Sequence, residues 1–181
     1  MVIKDTTLPG AKIIIPKVYQ DSRGYFFESY QCENFKENGI LENFVQDNEA
    51  ESKKGVLRGL HYQLKYPQSK LVRVIKGDIL DVAVDIRKGS KTFGKSKMIH
   101  LSSENKKMFY IPHGYAHGYL VLSDMAIVQY KCTEYYRPDD QFGIIWNDKT
   151  LNLNWGIDQP ILSYKDSISP DLNNQKKLPT I

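Results

Sequence analysis

The stretch Leu80-Asp81-Val82-Ala83-Val84-Asp85-Ile86 alternates with a period of two. Leu80, Val82, Val84 and Ile86 form one set, and Asp81, Ala83 and Asp85 form the other. A helix would scatter both sets around its circumference, whereas a strand gives each its own face. Just upstream, Lys70-Leu71-Val72-Arg73-Val74-Ile75 runs into the turn signal Lys76-Gly77-Asp78. The two runs therefore read as a β-hairpin.

Further strands are expected over Tyr25–Tyr30, Val56–Gln63, Met98–Leu101, Met108–Ile111, Gly118–Leu122 and Ala126–Tyr135. They are separated by turn formers such as Lys88-Gly89-Ser90 and Ser102-Ser103-Glu104-Asn105. Composition agrees: 12 Tyr, 7 Phe and 2 Trp stand against five Ala, a balance that favours sheet over helix bundle. Helix is expected only over Glu33–Asn38, ended by Gly39, and in a turn or two after Asp158. With no repeat, linker or composition break, residues 1–181 read as one all-β domain, a sandwich or barrel with a few short helices.

The 25 Lys+Arg and 21 Asp+Glu give a net charge of +4, too mild for a nucleic-acid polymer but suited to a small anionic ligand. No apolar run reaches the roughly 18 residues of a membrane span, and Met1–Asp5 has no apolar signal core, so a cytoplasmic setting is expected. Cys32 and Cys132 fit no zinc or redox spacing and read as reduced thiols.

Candidate chemistry gathers around histidines. His61 lies in Val56-Leu57-Arg58-Gly59-Leu60-His61-Tyr62-Gln63, where two ionisable groups interrupt an apolar strand. Such groups on a core-facing surface cost several kcal/mol unless they are paired or used. Their odd separation would point Arg58 and His61 to opposite faces, and a bulge at Gly59 would bring both to one cavity. Taken alone, His61 also reads as a hydrogen-bonded structural residue, Tyr130 as core beside Val128 and Cys132, and Asp166 as a helix cap. Arg23 reads as a turn residue, and His100 and His113 as ordinary strand and loop residues. Asp81 and Asp85 are expected to face polar surroundings rather than a ligand.

Pro112, Gly114 and His117, in Ile111-Pro112-His113-Gly114-Tyr115-Ala116-His117-Gly118, have the Pro-x-Gly-x-x-His spacing of the second half of the cupin signature. The first half, where metal-binding cupins carry His-x-His and a Glu, reads His61-Tyr62-Gln63. The chain thus resembles a cupin jelly-roll barrel without the metal ligands.

Several further stretches make the resemblance specific. They are Asp21–Glu28, Phe44–Asn48, Val56–Gln63, Lys70–Val74, Asp81–Arg87, Ile111–Tyr119, Tyr130-Lys131 and Trp146-Asn147-Asp148. In this order, from about residue 10 to 170, they resemble the dTDP-4-dehydrorhamnose 3,5-epimerases, metal-independent cupin-like enzymes.

The resemblance implies epimerisation at C3 and C5 of a dTDP-4-keto-6-deoxy sugar for cell-surface polysaccharide, with no cofactor. It implies His61 as base, Tyr130 as acid, Asp166 as the carboxylate orienting the imidazole, and Lys70 as the cation stabilising the enolate. Arg23, Glu28, Gln46, Asn48, Arg58, Lys70, His117, Gln141 and Lys165 match substrate-binding positions, and Tyr136 matches an aromatic that stacks on thymine. Gln141 stands where the family commonly has Glu, which implies a contact made by a neutral amide. A homodimer is implied too, with Arg23 and Glu28 serving the neighbouring subunit, and no nucleic-acid or membrane partner. The alternatives are an epimerase acting at one carbon of a related nucleotide sugar, a metal-dependent cupin enzyme, and a non-catalytic sugar-nucleotide binder.

Overall fold

A computed structural model describes residues 1–181. Thirteen strands appear: β1 (Val2–Asp5), β2 (Lys12–Ile15), β3 (Tyr19–Asp21), β4 (Gly24–Phe26), β5 (Gln46–Lys53), β6 (Leu57–Gln63), β7 (Lys70–Lys76), β8 (Asp78–Asp85), β9 (Ser96–Ser102), β10 (Met108–Ile111), β11 (Tyr115–Val121), β12 (Met125–Cys132) and β13 (Gln141–Gly143). The helices are α1 (Cys32–Glu37), α2 (Tyr164–Ser167) and one 3-10 turn at Pro138–Asp140. A six-stranded sheet in the order β1-β2-β10-β7-β12-β5 faces a five-stranded sheet in the order β13-β6-β11-β8-β9. This is the all-β, cupin-like jelly roll expected from the sequence. No helix is long and apolar enough to cross a membrane.

Three apolar clusters organise the packing. The central one lies between the sheets and includes Val72, Ala83, Phe109, Tyr119 and Val128. A second covers the outer face of the five-stranded sheet, where Val82, Val84 and Leu120 meet Ile144, Trp155 and Leu172 of the C-terminal segment. The third tucks Phe35 of α1 and Ile40 against Ile14, Leu71 and Met108 on the outside of the other sheet. Gln31 caps α1 through its side chain, and Gly39 at φ +80° takes the chain away from the helix.

The alternation in Leu80–Ile86 correctly marks a strand, but its apolar set faces outward. Val82, Val84 and Ile86 are buried beneath the C-terminal segment, while Asp81, Ala83 and Asp85 point between the sheets. Both aspartates are fully buried and tolerated because they are hydrogen-bonded. Asp81 accepts from His117, and Asp85 accepts from Arg87, Ser90 and Thr92.

The expected hairpin between Lys70–Ile75 and Leu80–Ile86 does not form. β7 pairs with β10 and β12, whereas β8 pairs with β11 and β9. Gly77 alone separates β7 from β8, at φ +80°. That connection is shorter than the two-residue loop of a tight hairpin, and the chain passes from one sheet to the other.

Tyr25–Tyr30 and Ala126–Tyr135 shorten to Gly24–Phe26 and Met125–Cys132, while Gly118–Leu122 extends back to Tyr115. β5 escaped the periodicity reading because Gln46–Lys53 carries almost no apolar side chains.

Candidate active site

The sandwich opens into a cavity of about 580 Å³, lined from both sheets and from the segment around α2. Its walls hold His61, Tyr130, Asp166, Lys70, Gln46, Asn48, Arg58, His117, Tyr136, Gln141 and Lys165. All four residues expected to carry the chemistry thus converge, with seven of those expected to bind.

Arg58 and His61 both reach the cavity because β6 is bulged. Tyr119 of β11 lies opposite Arg58 and His117 opposite His61, so Gly118 faces two residues, Gly59 and Leu60. Gly59 adopts φ +119°, and a Cβ there would sit 2.6 Å from both Gly118 Cα and His117 O. Only glycine fits that approach. The bulge expected at Gly59 is present, and the Gly59–Leu60 peptide is cis.

His61 Nε2 lies 2.5 Å from Asp166 Oδ1, leaving Nδ1 without a protein partner. Ser163 caps α2 by accepting from the Asp166 amide, and Leu57 donates to Ile161 O, which ties this segment to β6. Burial would raise the Asp166 carboxyl, but hydrogen bonds from His61, Ser163 and the Gly59 amide outweigh it and hold the group below the usual carboxylate value. Asp166 therefore stays ionised and fixes the Nε2–H tautomer.

Tyr130 projects from β12 in the opposite sheet. Burial pushes its phenol up to about 12, so it remains a proton donor across the neutral range. Lys70 Nζ stands 5.9 Å from the Tyr130 ring centroid. Burial lowers the Lys70 ammonium, opposed by the nearby Cys132 and Asp81. Lys70, Arg58 and Lys165 line the cavity without forming a salt bridge. Three cations whose charge no carboxylate neutralises suit an anionic ligand, although Arg58 Nε donates to Ser52 Oγ.

A second imidazole–carboxylate pair backs the first. His117 Nε2 is 2.6 Å from Asp81 Oδ1, and burial lowers the His117 pKa despite that partner. At the rim, the Tyr136 amide donates to Gln46, and Gln46 donates to Asn48, each over 2.9 Å. Tyr136 Oη donates to Gln141 Oε1 at 2.9 Å, leaving the ring as an exposed aromatic face.

Arg23 and Glu28 lie outside this cavity. Arg23 sits at the tip of the β3–β4 hairpin, its side chain 88% exposed and paired only with Asp21. Tyr119, Cys132, Gln63 and Gln68 line the cavity without having been singled out in sequence. Tyr119 was accessible to reasoning, because it follows His117 by one strand period. No group of three or more His, Cys, Asp or Glu side chains is arranged to hold a metal ion.

Residues 5–174 match the family model described as dTDP-4-dehydrorhamnose 3,5-epimerase. The chain is 54% identical over 164 residues to the dTDP-4-dehydrorhamnose 3,5-epimerase of Methanothermobacter thermautotrophicus, covering 89% of each chain. It superposes with a TM-score of 0.97 and 49% identity on the dTDP-6-deoxy-D-glucose-3,5-epimerase of Legionella pneumophila in complex with dTDP-4-keto-L-rhamnose, covering 99% of this chain and 98% of that one. A 3'-monoepimerase from Streptomyces bikiniensis in complex with dTDP-quinovose is more distant, at 32% identity and a TM-score of 0.91, with 97% and 91% covered. With its paired sheets, its His–Asp and Tyr groups facing one cavity, and a match across nearly its whole length, the chain belongs to the dTDP-4-dehydrorhamnose 3,5-epimerase family of isomerases.

Proposed function

We propose that the protein inverts C3 and C5 of dTDP-4-dehydro-6-deoxy-D-glucose, giving dTDP-4-dehydro-L-rhamnose. The observation that carries this reading is the placement of two proton-handling groups on opposite sheets. His61 with its free Nδ1 comes from β6, and Tyr130 comes from β12. Inversion needs such an arrangement, because a proton must leave one face of the carbon and another must arrive on the opposite face.

The hydrogens on C3 and C5 are both α to the C4 carbonyl. His61 Nδ1 takes one as a proton, the C–H electron pair moves into the C3–C4 or C5–C4 bond, and the carbonyl oxygen becomes an enolate. Lys70 stabilises that oxygen. Tyr130 then donates its proton to the other face and the carbonyl re-forms. Exchange with solvent returns the proton from His61 and restores Tyr130. The substrate's own carbonyl accepts the electrons, so no cofactor takes part.

Arg58, Lys165 and Lys70 supply positive charge for the diphosphate and sugar, joined by Gln46, Asn48, Gln141 and His117. Tyr136 offers its ring to the base, a contact worth about 1–3 kcal/mol. We assign Arg23 and Glu28 to the cavity of a second subunit in a homodimer, which their exposure outside their own cavity supports. The unpaired thiols Cys32 and Cys132 suit a cytoplasmic setting.

The test is turnover of that substrate in deuterium oxide after chelator treatment. Deuterium at both C3 and C5 is expected. Label at C3 alone would make the protein a mono-epimerase, and no label at either carbon would overturn the reading.

A further inference from the structure

Gln63 is a buried polar side chain with no part in the proposed proton transfers. Two residues beyond His61 on β6, it faces the same side of the strand and lines the same cavity. It also stands where metal-binding cupins carry the second His of His-x-His. Gln63 Nε2 donates to Tyr66 O at 2.7 Å and to Tyr135 O at 3.2 Å, and Oε1 accepts from the Arg137 amide at 2.7 Å. These partners fix the orientation of the side-chain amide, since a carbonyl only accepts and a backbone N–H only donates. Both amide hydrogens are thereby committed, and Gln63 keeps no N–H for a ligand. A neutral histidine, with one donor and one acceptor, could not meet all three groups.

Tyr135 O and Arg137 N belong to the two peptide units that flank Tyr136. Residues 133–137 lie between β12 and the 3-10 turn, outside every strand and helix. Gln63 therefore gives this segment the donor and acceptor that a neighbouring strand would otherwise supply. The Tyr136 amide goes to Gln46 Oε1 and Tyr136 Oη donates to Gln141 Oε1, each over 2.9 Å. Gln141 in turn lies directly opposite Gln63 across the β13–β6 pair. Tyr136 is 46% exposed, yet it is held at its backbone by Gln63 and Gln46 and at its phenol by Gln141.

A side chain ordered before binding removes the entropy cost of ordering it when the ligand arrives. We infer that Gln63 is a positioning residue, whose amide sets the backbone of Tyr136 so that the ring stands ready at the cavity for the nucleotide base. Gln63 acts through Tyr136, so it governs nucleotide affinity rather than proton transfer. This role rests on the reading of Tyr136 as the base-stacking residue.

Calorimetric titration with dTDP of wild type, Gln63→Met, Tyr136→Ala and the double variant tests it. Methionine keeps the volume of the side chain and removes only its polar groups. Each single variant should bind dTDP about tenfold more weakly, and the double variant should fall within about twofold of Tyr136→Ala. Turnover by Gln63→Met should show KM raised about tenfold and kcat within about twofold of wild type. Amide exchange followed by nuclear magnetic resonance needs no variant. In wild type without ligand, the Tyr136 and Arg137 amides should already be protected, and dTDP should change that little.

Gln63→Met with wild-type affinity for dTDP, beside a weakened Tyr136→Ala, would overturn the positioning role. So would a double variant weakened by the product of the two single losses, because Gln63 would then act on the ligand itself. Unprotected Tyr136 and Arg137 amides in ligand-free wild type would overturn it too, whether or not Gln63→Met folds. Tyr136→Ala binding dTDP as tightly as wild type would instead overturn the base-stacking reading of Tyr136.

Discussion

His61 Nε2 meets Asp166 Oδ1 at 2.5 Å although the two residues are 105 positions apart in the chain. In the proposed mechanism the carboxylate holds the ring in one tautomer and leaves Nδ1 to take the proton. Asp166→Asn should therefore lower kcat by about 100-fold or more with KM little changed. Steady-state kinetics, with melting temperature as a control for folding, check this. A wild-type kcat would remove Asp166 from the machinery.

Tyr130 and His61 come from opposite sheets, so their losses should differ in kind. On the proposed roles, Tyr130→Phe keeps the base but removes the donor on the other face. Substrate recovered from deuterium oxide should carry label with its configuration retained, and epimerised product should fall by about 100-fold or more. His61→Asn should abolish both label and product. Nuclear magnetic resonance of the recovered sugar separates the two patterns.

Lys70 should govern the alkaline limb of kcat/KM. Burial holds its ammonium below the ordinary lysine value, while burial holds Tyr130 at about 12. As pH rises, Lys70 loses its charge before Tyr130 loses its proton, and activity falls with the cation. Lys70→Arg should move that limb to higher pH, because a guanidinium stays charged. An unchanged limb would assign it to another group.

Gly59→Ala tests the bulge. An added Cβ would press on Gly118 Cα and His117 O at 2.6 Å, in a backbone conformation that disfavours any side chain. A loss of about 3 kcal/mol or more in unfolding free energy is expected. Activity should fall beyond what unfolding explains, since the bulge places both Arg58 and His61 in the cavity. Chemical denaturation and turnover at a temperature where the variant is folded measure the two effects.

Asp85 contributes to stability away from the proposed chemistry. Burial would raise its pKa, but bonds from Arg87, Ser90 and Thr92 bring it down to about 2. A depressed carboxylate stabilises the fold above the unfolded pKa, and this contribution is lost as pH falls through the folded value. Between about pH 4 and pH 2 the protein should lose roughly 2 kcal/mol from this residue alone. Asp85→Asn should flatten that part of the acid denaturation curve and lower stability at neutral pH.

The alternation of Leu80–Ile86, the turn formers between short apolar runs and the scarcity of alanine were enough to read an all-β chain, because strand periodicity is a local property. The cupin spacing around His117 and the ordered matches from Asp21 to Asp148 made the family legible as well. Local pattern could not show which way β8 faces. Its apolar set packs outward only because the C-terminal segment returns to cover it, and its aspartates tolerate the interior only because His117 and Arg87 reach them. Nor could it show that Gly77 carries the chain between sheets rather than around a hairpin, or that polar β5 completes the sheet edge. The sequence by itself determined the strand content, the family and most of the residues that line the cavity. Tertiary structure alone decided what they meet: Asp166 against His61, Asp81 against His117, and Tyr130 brought to the same cavity from the other sheet. Those meetings depend on long-range sheet pairing and one bulge, which no short stretch of sequence encodes.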